Sequence, residues 1–333
     1  MTDIKKIGVL TSGGDAPGMN SAIASIVKAA KFNNMEVVGI KYGYKGLLEK
    51  DVKKISLEDA TEIMNRGGTW LGSARCLEFK EEEYVKKGVE NAKEMDLDGL
   101  VVIGGDGSFR GARDLSIHGL PTIGIPGTID NDISCTEYTI GYDTALNTVI
   151  ECLDKINDTM RSHNRCAFVE VMGNKAGYLA MEVGIACGAD SIIIAEQQLD
   201  IERDIVNVIK RKYEEKKYFM VVVAEGVAKT SGKSTNKIMR ETVEMMKEKY
   251  GIELDARATI LGHVQRGGSP TYKDRVTASR MGAHAVEILL NGKSNRVVCL
   301  HNSKVVDYDI LEGLKMEKKI DSELLTLSKI ISV

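Results

Sequence analysis

Asp130 and Asp132 stand two residues apart in the stretch GIPGTIDNDI, residues 124 to 133. They follow an apolar, β-branched run, Thr122 to Ile125, that reads as a strand. Pro126, one of only four prolines in the chain, and Gly127 break that strand, and Thr128 adds a hydroxyl just before the acids. Pro, Gly, Asn and Asp are also the usual turn formers, so a solvated loop is the plainer reading of this segment alone. The chemical reading is a strand end that presents two carboxylates to a substrate.

Two glycine-rich loops also follow strand-like runs. TSGGDAPGMN puts Gly13 and Gly14 at a strand-to-helix turn, where backbone N–H groups approach a phosphate and the helix start favours an anion. A tight turn needing positive φ accounts for the same glycines equally well. IGGDGSFRG carries Gly105, Gly107 and Gly111 as G-x-G-x-x-x-G, which misses the dinucleotide fingerprint. Asp106 in that loop would repel a phosphate unless a cation lay between them, so it reads as a Mg²⁺ anchor. ARATILGHVQRGGSP carries Arg257, His263 and Arg266, the last two just past the end of another strand, as a pocket for an anion or as surface ion pairs. SHNR adds His163 and Arg165. GVAKTSGKS imitates a Walker loop but has five residues between Gly226 and Gly232 where that loop needs four.

These loops need a frame that brings them together. Short β-branched runs (IGVL, EVVGI, LVVI, TIGI, AFVEV, SIIIA, YFMVVV, ATIL) alternate with helical patterns from end to end, which predicts parallel sheets with helices packed on them. Met19, Ile23, Ile26, Val27 and Ala30 fall on one helical face, and Ser56 with Asp59 reads as a capping box. The helix around ALNTVIECLDKINDTM is the expected bridge between two domains. In doubly wound sheets the crevice at the carboxyl ends of the strands holds the ligand, and the three unusual loops all leave such ends.

Composition sets limits. The chain has 333 residues, 43% of them hydrophobic and 28% charged, enough for two domains with real cores. A net charge of -3 argues against a broad nucleic-acid or anionic-membrane surface. Six scattered cysteines form no zinc or disulfide pattern and fit a reducing cytosol. No apolar run reaches membrane-spanning length. The expected location is cytoplasmic.

Six motifs, IGVLTSGGDAPGMN, RGGTWLGSAR, VVIGGDGS, PGTIDND, VEVMG and ILGHVQRGGSP, resemble the bacterial ATP-dependent 6-phosphofructokinases in order and spacing, from Ile7 to about Asn302. The resemblance implies two doubly wound α/β domains with mostly parallel sheets. A nucleotide domain would span residues 1–138 and 257–303, and a sugar-phosphate domain residues 139–256 and 304–333. It implies a homotetramer that uses Mg²⁺ to transfer the ATP γ-phosphoryl to the 1-hydroxyl of fructose 6-phosphate. Asp130 would be the base, Asp132 would lie near the metal, and Thr128 beside Ile129 would bond the moving phosphate. Gly14, Gly105, Asp106, Gly107 and Ser108 would hold the nucleotide, with Asp106 toward Mg²⁺, Arg75 beside the phosphates and Cys76 against the adenine. Met172, Gly173, Asn174, Glu225, His263, Val264, Gln265 and Arg266 would line the sugar-phosphate site. Arg165 and Arg257 would reach it from a neighbouring subunit.

Departures from the family pattern carry information. Asn174 stands where the family usually has an arginine, with Lys175 as a partial substitute. The family's effector pocket matches Lys28, Asn157, Asp190, Glu214 and Lys216, and Ala24 replaces a usual cation there. One or two lysines do not reproduce a fork of arginines, so weak regulation is expected. Pyrophosphate-dependent relatives tend to carry Asp at position 107 and Lys at 127, where this chain has glycines that leave room for an α-phosphate. A catalytically silent nucleotide-sensing subunit is the other alternative, and Asn174 alone speaks for it.

Overall fold

The run KIGVLT forms the strand Lys6–Thr11 (β1), and every residue after its first is buried. It is an inner strand of a sheet that explains why so many of the apolar runs are continuous and not alternating: both faces are covered. The protein is described here by a computed structural model that covers residues 4–331.

The other strands are Glu36–Ile40 (β2), Val52–Lys54 (β3), Gly99–Gly104 (β4), Thr122–Pro126 (β5), Cys166–Val171 (β6), Ser191–Ile193 (β7), Phe219–Ala224 (β8), Ala256–Ile260 (β9), Arg296–His301 (β10) and Lys304–Asp309 (β11). One sheet has the order β11-β10-β5-β4-β1-β2-β3 and the other β7-β8-β6-β9. The second is parallel throughout. The first is parallel except at its edges, where β11 pairs antiparallel with β10 and β3 with β2. The two mostly parallel sheets bear out the expected fold class.

The chain divides into two compact units, residues 4–129, 133–144 and 266–318 in one, and residues 130–132, 145–265 and 319–331 in the other. The helix Tyr142–His163 begins in the first and continues in the second. Residues 139–144 and 304–318 pack with the first unit, where the expected boundaries gave them to the second, the latter because β11 is hydrogen-bonded to β10 along its full length. Residues 130–132 and 257–265 were expected in the first and pack with the second, where β9 pairs with β6. Residues 1–3 and 332–333 of the expected ranges lie outside the described residues.

Local signals account for the elements. Met19, Ile23, Ile26, Val27 and Ala30 are all buried on the helix Met19–Phe32. Ser56 caps Leu57–Ile63 through its side chain, and Asp59 returns the bond, so the capping box forms with Asp in place of Glu. In the first unit the core gathers Leu10, Leu100, Val102, Phe109 and Leu115, with Tyr44 stacked on Phe79 at a centroid separation of 4.2 Å. Each such fully buried side chain contributes about 1.5–3 kcal/mol. No helix of the described residues is long and apolar enough to cross a membrane.

Candidate active site

The register of the first sheet decides which loops meet. Thr11 of β1 pairs with Ile103 of β4, and Gly104 of β4 with Pro126 of β5, so three strands end side by side. Ser12 N–H donates to Ile103 O at 2.9 Å and Gly127 N–H to Gly104 O at 3.0 Å, which starts each loop at the same edge.

The loop after β1 has Gly13 at φ 87, the conformation that favours glycine. Gly14 is needed for a different reason. A Cβ there would lie 2.7 Å from Arg266 Nη1, and that guanidinium donates to Asp15 O at 3.2 Å. Arg266, expected beside the sugar phosphate, therefore lies against the loop expected to hold the nucleotide.

The loop after β4 runs straight into the helix Asp106–Ile117. Ser108 is buried, and its backbone carbonyl accepts from the Tyr44 hydroxyl. A Cβ on Gly105 or Gly107 would meet nothing within 4 Å, whereas one on Gly127 would come within 3.0 Å of Met19 and 3.1 Å of Ile103. Asp106 is exposed, and burial of part of its carboxyl raises its pKa against the pull of Arg110, 3.9 Å away.

A third segment completes this edge. Thr11 Oγ1 donates to Gly72 O at 2.8 Å and Ser73 Oγ to Gly13 O at 2.5 Å. These bonds hold the turn that leads to Arg75, whose side chain is exposed. Cys76 donates to Glu78 at 3.6 Å, and burial raises its thiol pKa. It stays protonated, as an apolar surface requires. Asn20 anchors the same turn, donating to Arg66 O and accepting from Trp70 N–H. Its short polar side chain inside an apolar helix face was the available signal, and sequence reading passed over it.

After β5, Thr128 N–H donates to Ile140 O, and Thr139 Oγ1 donates to Thr128 O at 2.6 Å. Ile129 is fully buried, Asp130 is 8% exposed and Asp132 is half-buried. The return segment is tied down by Asp274, which accepts from Tyr138 Oη, Gly141 N–H and both the N–H and Oγ1 of Thr144, all between 2.5 and 2.8 Å. Burial raises the Asp274 pKa, and those bonds pull against it. Sequence reading missed Asp274 because its donors lie about 130 residues away.

In the second unit the strand ends again set the grouping. Val171 of β6 pairs with Ala224 of β8, so the turn Met172–Asn174 lies beside Glu225. Asn174 N–H donates to Glu225 Oε1 at 2.6 Å. Gln265, expected among substrate contacts, is fully buried. Its Oε1 accepts from Met172 N–H and its Nε2 donates to Gly262 O, so it holds the turn and has no face for a ligand. Gly173 keeps its backbone at φ 140, and a Cβ there would strike Ala176 O at 2.5 Å. His263 and Val264 are exposed on the short helix Gly262–Arg266.

Arg165 and Arg257, 92 positions apart in sequence, share one carboxylate. Arg165 Nε lies 2.7 Å from Asp255 Oδ2, and Arg257 Nη1 lies 2.5 Å from Asp255 Oδ1. The bond from Arg165, then the charge of Arg257, lowers the Asp255 pKa. Asp255 was not singled out in the sequence.

Two of the candidate effector residues, Asp190 and Lys216, are bonded to each other. Asp190 is 2% exposed and binds Lys212 and Lys216, both at 2.9 Å, plus the Met220 N–H. Lys28 and Glu214 are exposed and Asn157 is half-buried.

Residues 6–289 match the family described as phosphofructokinase. The chain belongs to the phosphofructokinase family. It is 49% identical to an ATP-dependent 6-phosphofructokinase of Lysinibacillus sphaericus over 330 residues, 99% of this chain and 100% of that one. The phosphofructokinase of Saccharomyces cerevisiae superposes with a TM-score of 0.85 at 32% identity, covering 98% of this chain and 48% of the yeast chain. A pyrophosphate-dependent phosphofructokinase of Marinobacter aquaeolei superposes at 0.80 with 19% identity, a likeness of fold alone, over 98% of this chain and 91% of that one.

Proposed function

We propose that this chain is an ATP-dependent 6-phosphofructokinase that phosphorylates the 1-hydroxyl of fructose 6-phosphate to give fructose 1,6-bisphosphate. The observation that carries the reading is 49% identity over the full length to a chain of that activity. The open space at Gly105 and Gly107 supports ATP as donor, because a longer polyphosphate with its nucleoside needs clearance at that loop.

The hydroxyl oxygen of the sugar attacks the γ-phosphorus, the bond from phosphorus to the β,γ-bridging oxygen breaks, and ADP leaves. Asp130 takes the hydroxyl proton. A carboxylate that is 8% exposed has little water competing for that proton. Thr128 donates to the transferring phosphoryl, and Arg75 neutralises charge that develops on it. Glu225 accepts from sugar hydroxyls, and His263 and Arg266 hold the 6-phosphate. Cys76 faces the base of the nucleotide. Mg²⁺ neutralises charge on the nucleotide phosphates when bound. The chemistry suits it: phosphate-bound Mg²⁺ keeps waters and needs one or two carboxylates, and Asp106 offers an exposed one at the nucleotide loop. The family resemblance implies Asp132 near the metal.

Arg165 and Arg257 serve a neighbouring subunit in this reading, within a homotetramer. Ile260 and Val264, near Arg257 in sequence, are large apolar side chains about half exposed, as a surface covered by another copy would have them. A coupled assay tests the function. ATP with Mg²⁺ is expected to drive turnover of fructose 6-phosphate, with pyrophosphate at a small fraction of that rate. Comparable rates from both donors at saturation would sink the donor assignment. Asp130→Asn is expected to leave both KM values near wild type and to lower kcat roughly 10²–10⁴-fold.

A further inference from the structure

We infer that Lys229 is a phosphate-binding residue of this enzyme, supplying from the helix Val227–Ser231 a cation that position 174 lacks. The inference rests on the function proposed above.

The five residues between Gly226 and Gly232 that spoil the Walker spacing curl into that single helical turn. The turn follows Glu225, whose N–H is bonded to Val171 O, so it starts at the carboxyl end of the parallel pair β6–β8. Gly226 lets it pack close, since a Cβ there would sit 3.0 Å from Asn174 O. Lys229 Nζ then reaches Asn174 Oδ1 at 3.1 Å, while Asn174 N–H binds Glu225 Oε1 at 2.6 Å. An ammonium, an amide and a carboxylate are thus linked in series across two strand ends.

The chemistry of that series points to an anion. The partner of Lys229 is a neutral amide, so the bond orients the ammonium without cancelling its charge. Two further donors on Nζ remain for a ligand. Lys233, four residues on, differs: it is bonded to Glu241 Oε2 at 2.5 Å and its charge is matched. Asn174 adopts φ 56, a conformation asparagine tolerates well, which aims its side chain at the helix. Glu225 in the same group is the proposed acceptor for sugar hydroxyls, so an anion bound by Lys229 is a phosphate of the reacting pair. Two phosphates fit that chemistry, the one resident on the sugar and the one in transfer.

Kinetics of three variants test this, with melting temperatures as a control for folding. Lys229→Gln keeps a donor to Asn174 and loses the charge. Lys229→Arg keeps the charge. Lys229→Gln combined with Asn174→Arg moves the charge to position 174. Lys229→Gln is expected to lose roughly tenfold, the usual scale for a hydrogen bond to a charged group. The loss falls on the KM for fructose 6-phosphate if the sugar's phosphate is the ligand, and on kcat if the transferring phosphoryl is. Lys229→Arg should stay within a few-fold of wild type, and the double variant should recover part of the loss. Lys229→Gln within twofold of wild type in both constants would overturn the inference while wild-type turnover left the function intact. So would Lys229→Arg losing as much as Lys229→Gln, since geometry and not charge would then be the cause. Calorimetric binding of fructose 6-phosphate separates the two without turnover: weakened affinity in Lys229→Gln assigns the sugar's phosphate, unchanged affinity with a lowered kcat assigns the transferring phosphoryl, and unchanged affinity with unchanged kcat overturns the inference.

Discussion

Asp274 gathers four donors from Tyr138, Gly141 and Thr144 and is fully buried. Asp255 gathers two arginines, and 43% of its side chain is exposed. The first carboxylate binds neutral groups of its own unit and closes a loop. The second holds two cations at a surface and leaves the pair with a net positive charge. Asp190 shows a third outcome, with two lysines turned inward on a buried acid. Counting partners does not separate these roles. The charge of the donors and the access of water do, because a buried unpaired group costs free energy while an exposed charged pair contributes little to stability.

The largest effect should come from Asp274→Ala. Its four buried donors would lose one shared acceptor, for a total of about 4 kcal/mol or more at roughly 1–3 kcal/mol each. Chemical denaturation should show that loss, and the activity per folded molecule should change little. A fall in kcat without a fall in stability would place Asp274 among the reacting groups and erase the contrast with Asp255.

Arg165→Ala and Arg257→Ala should behave in the opposite way. Each is expected to raise the KM for fructose 6-phosphate about tenfold or more, to move the KM for ATP less, and to leave the melting temperature near wild type. Mixing either variant with a Glu225→Ala subunit should regenerate some activity if the arginines act across an interface. Hybrids that stay inactive, with subunit exchange verified, would show that each subunit builds its own pocket.

The smallest effect belongs to Asp190. With Lys212 and Lys216 already paired, millimolar phosphoenolpyruvate or ADP should shift the fructose 6-phosphate saturation curve little. A ligand moves an equilibrium only by its differential affinity for two states. A large rightward shift that Lys28→Ala abolishes would show that a working effector pocket remains.

What could be read from the sequence follows the same division. The inner strands of both sheets were visible because burial on both faces makes them continuous apolar runs. The helix Met19–Phe32 and the Ser56–Asp59 box were visible because their signals span a few residues. The edge strands VKK and KVVDYD were not, since strands that are exposed or only partly buried carry charge and lose the continuous apolar pattern, and RVVCLH, buried at its centre, was passed over. The tight turn of the hairpin that β10 forms with β11, with Asn302 and Ser303 both at positive φ, lacks the glycine that usually announces one. Site residues on loops after strands could be named from motif and resemblance. Their partners could not: strand pairing brings Asp255 to Arg165 and Lys229 to Asn174, and Asp274 meets the loop from 138 to 144 across a helix start, so each joins residues far apart in sequence.

The contact between Arg266 and Gly14 has a consequence for how this sequence can drift. A methyl group at position 14 would meet the far end of a flexible side chain, so the chain would still fold and the guanidinium would swing aside. The harm would appear in the recognition of one substrate although the change lies in the loop assigned to the other. The two positions are therefore not free to vary separately. A lineage that shortened residue 266 would release residue 14 from glycine, and the order of those two steps would matter, with the arginine lost first and the larger residue arriving after it.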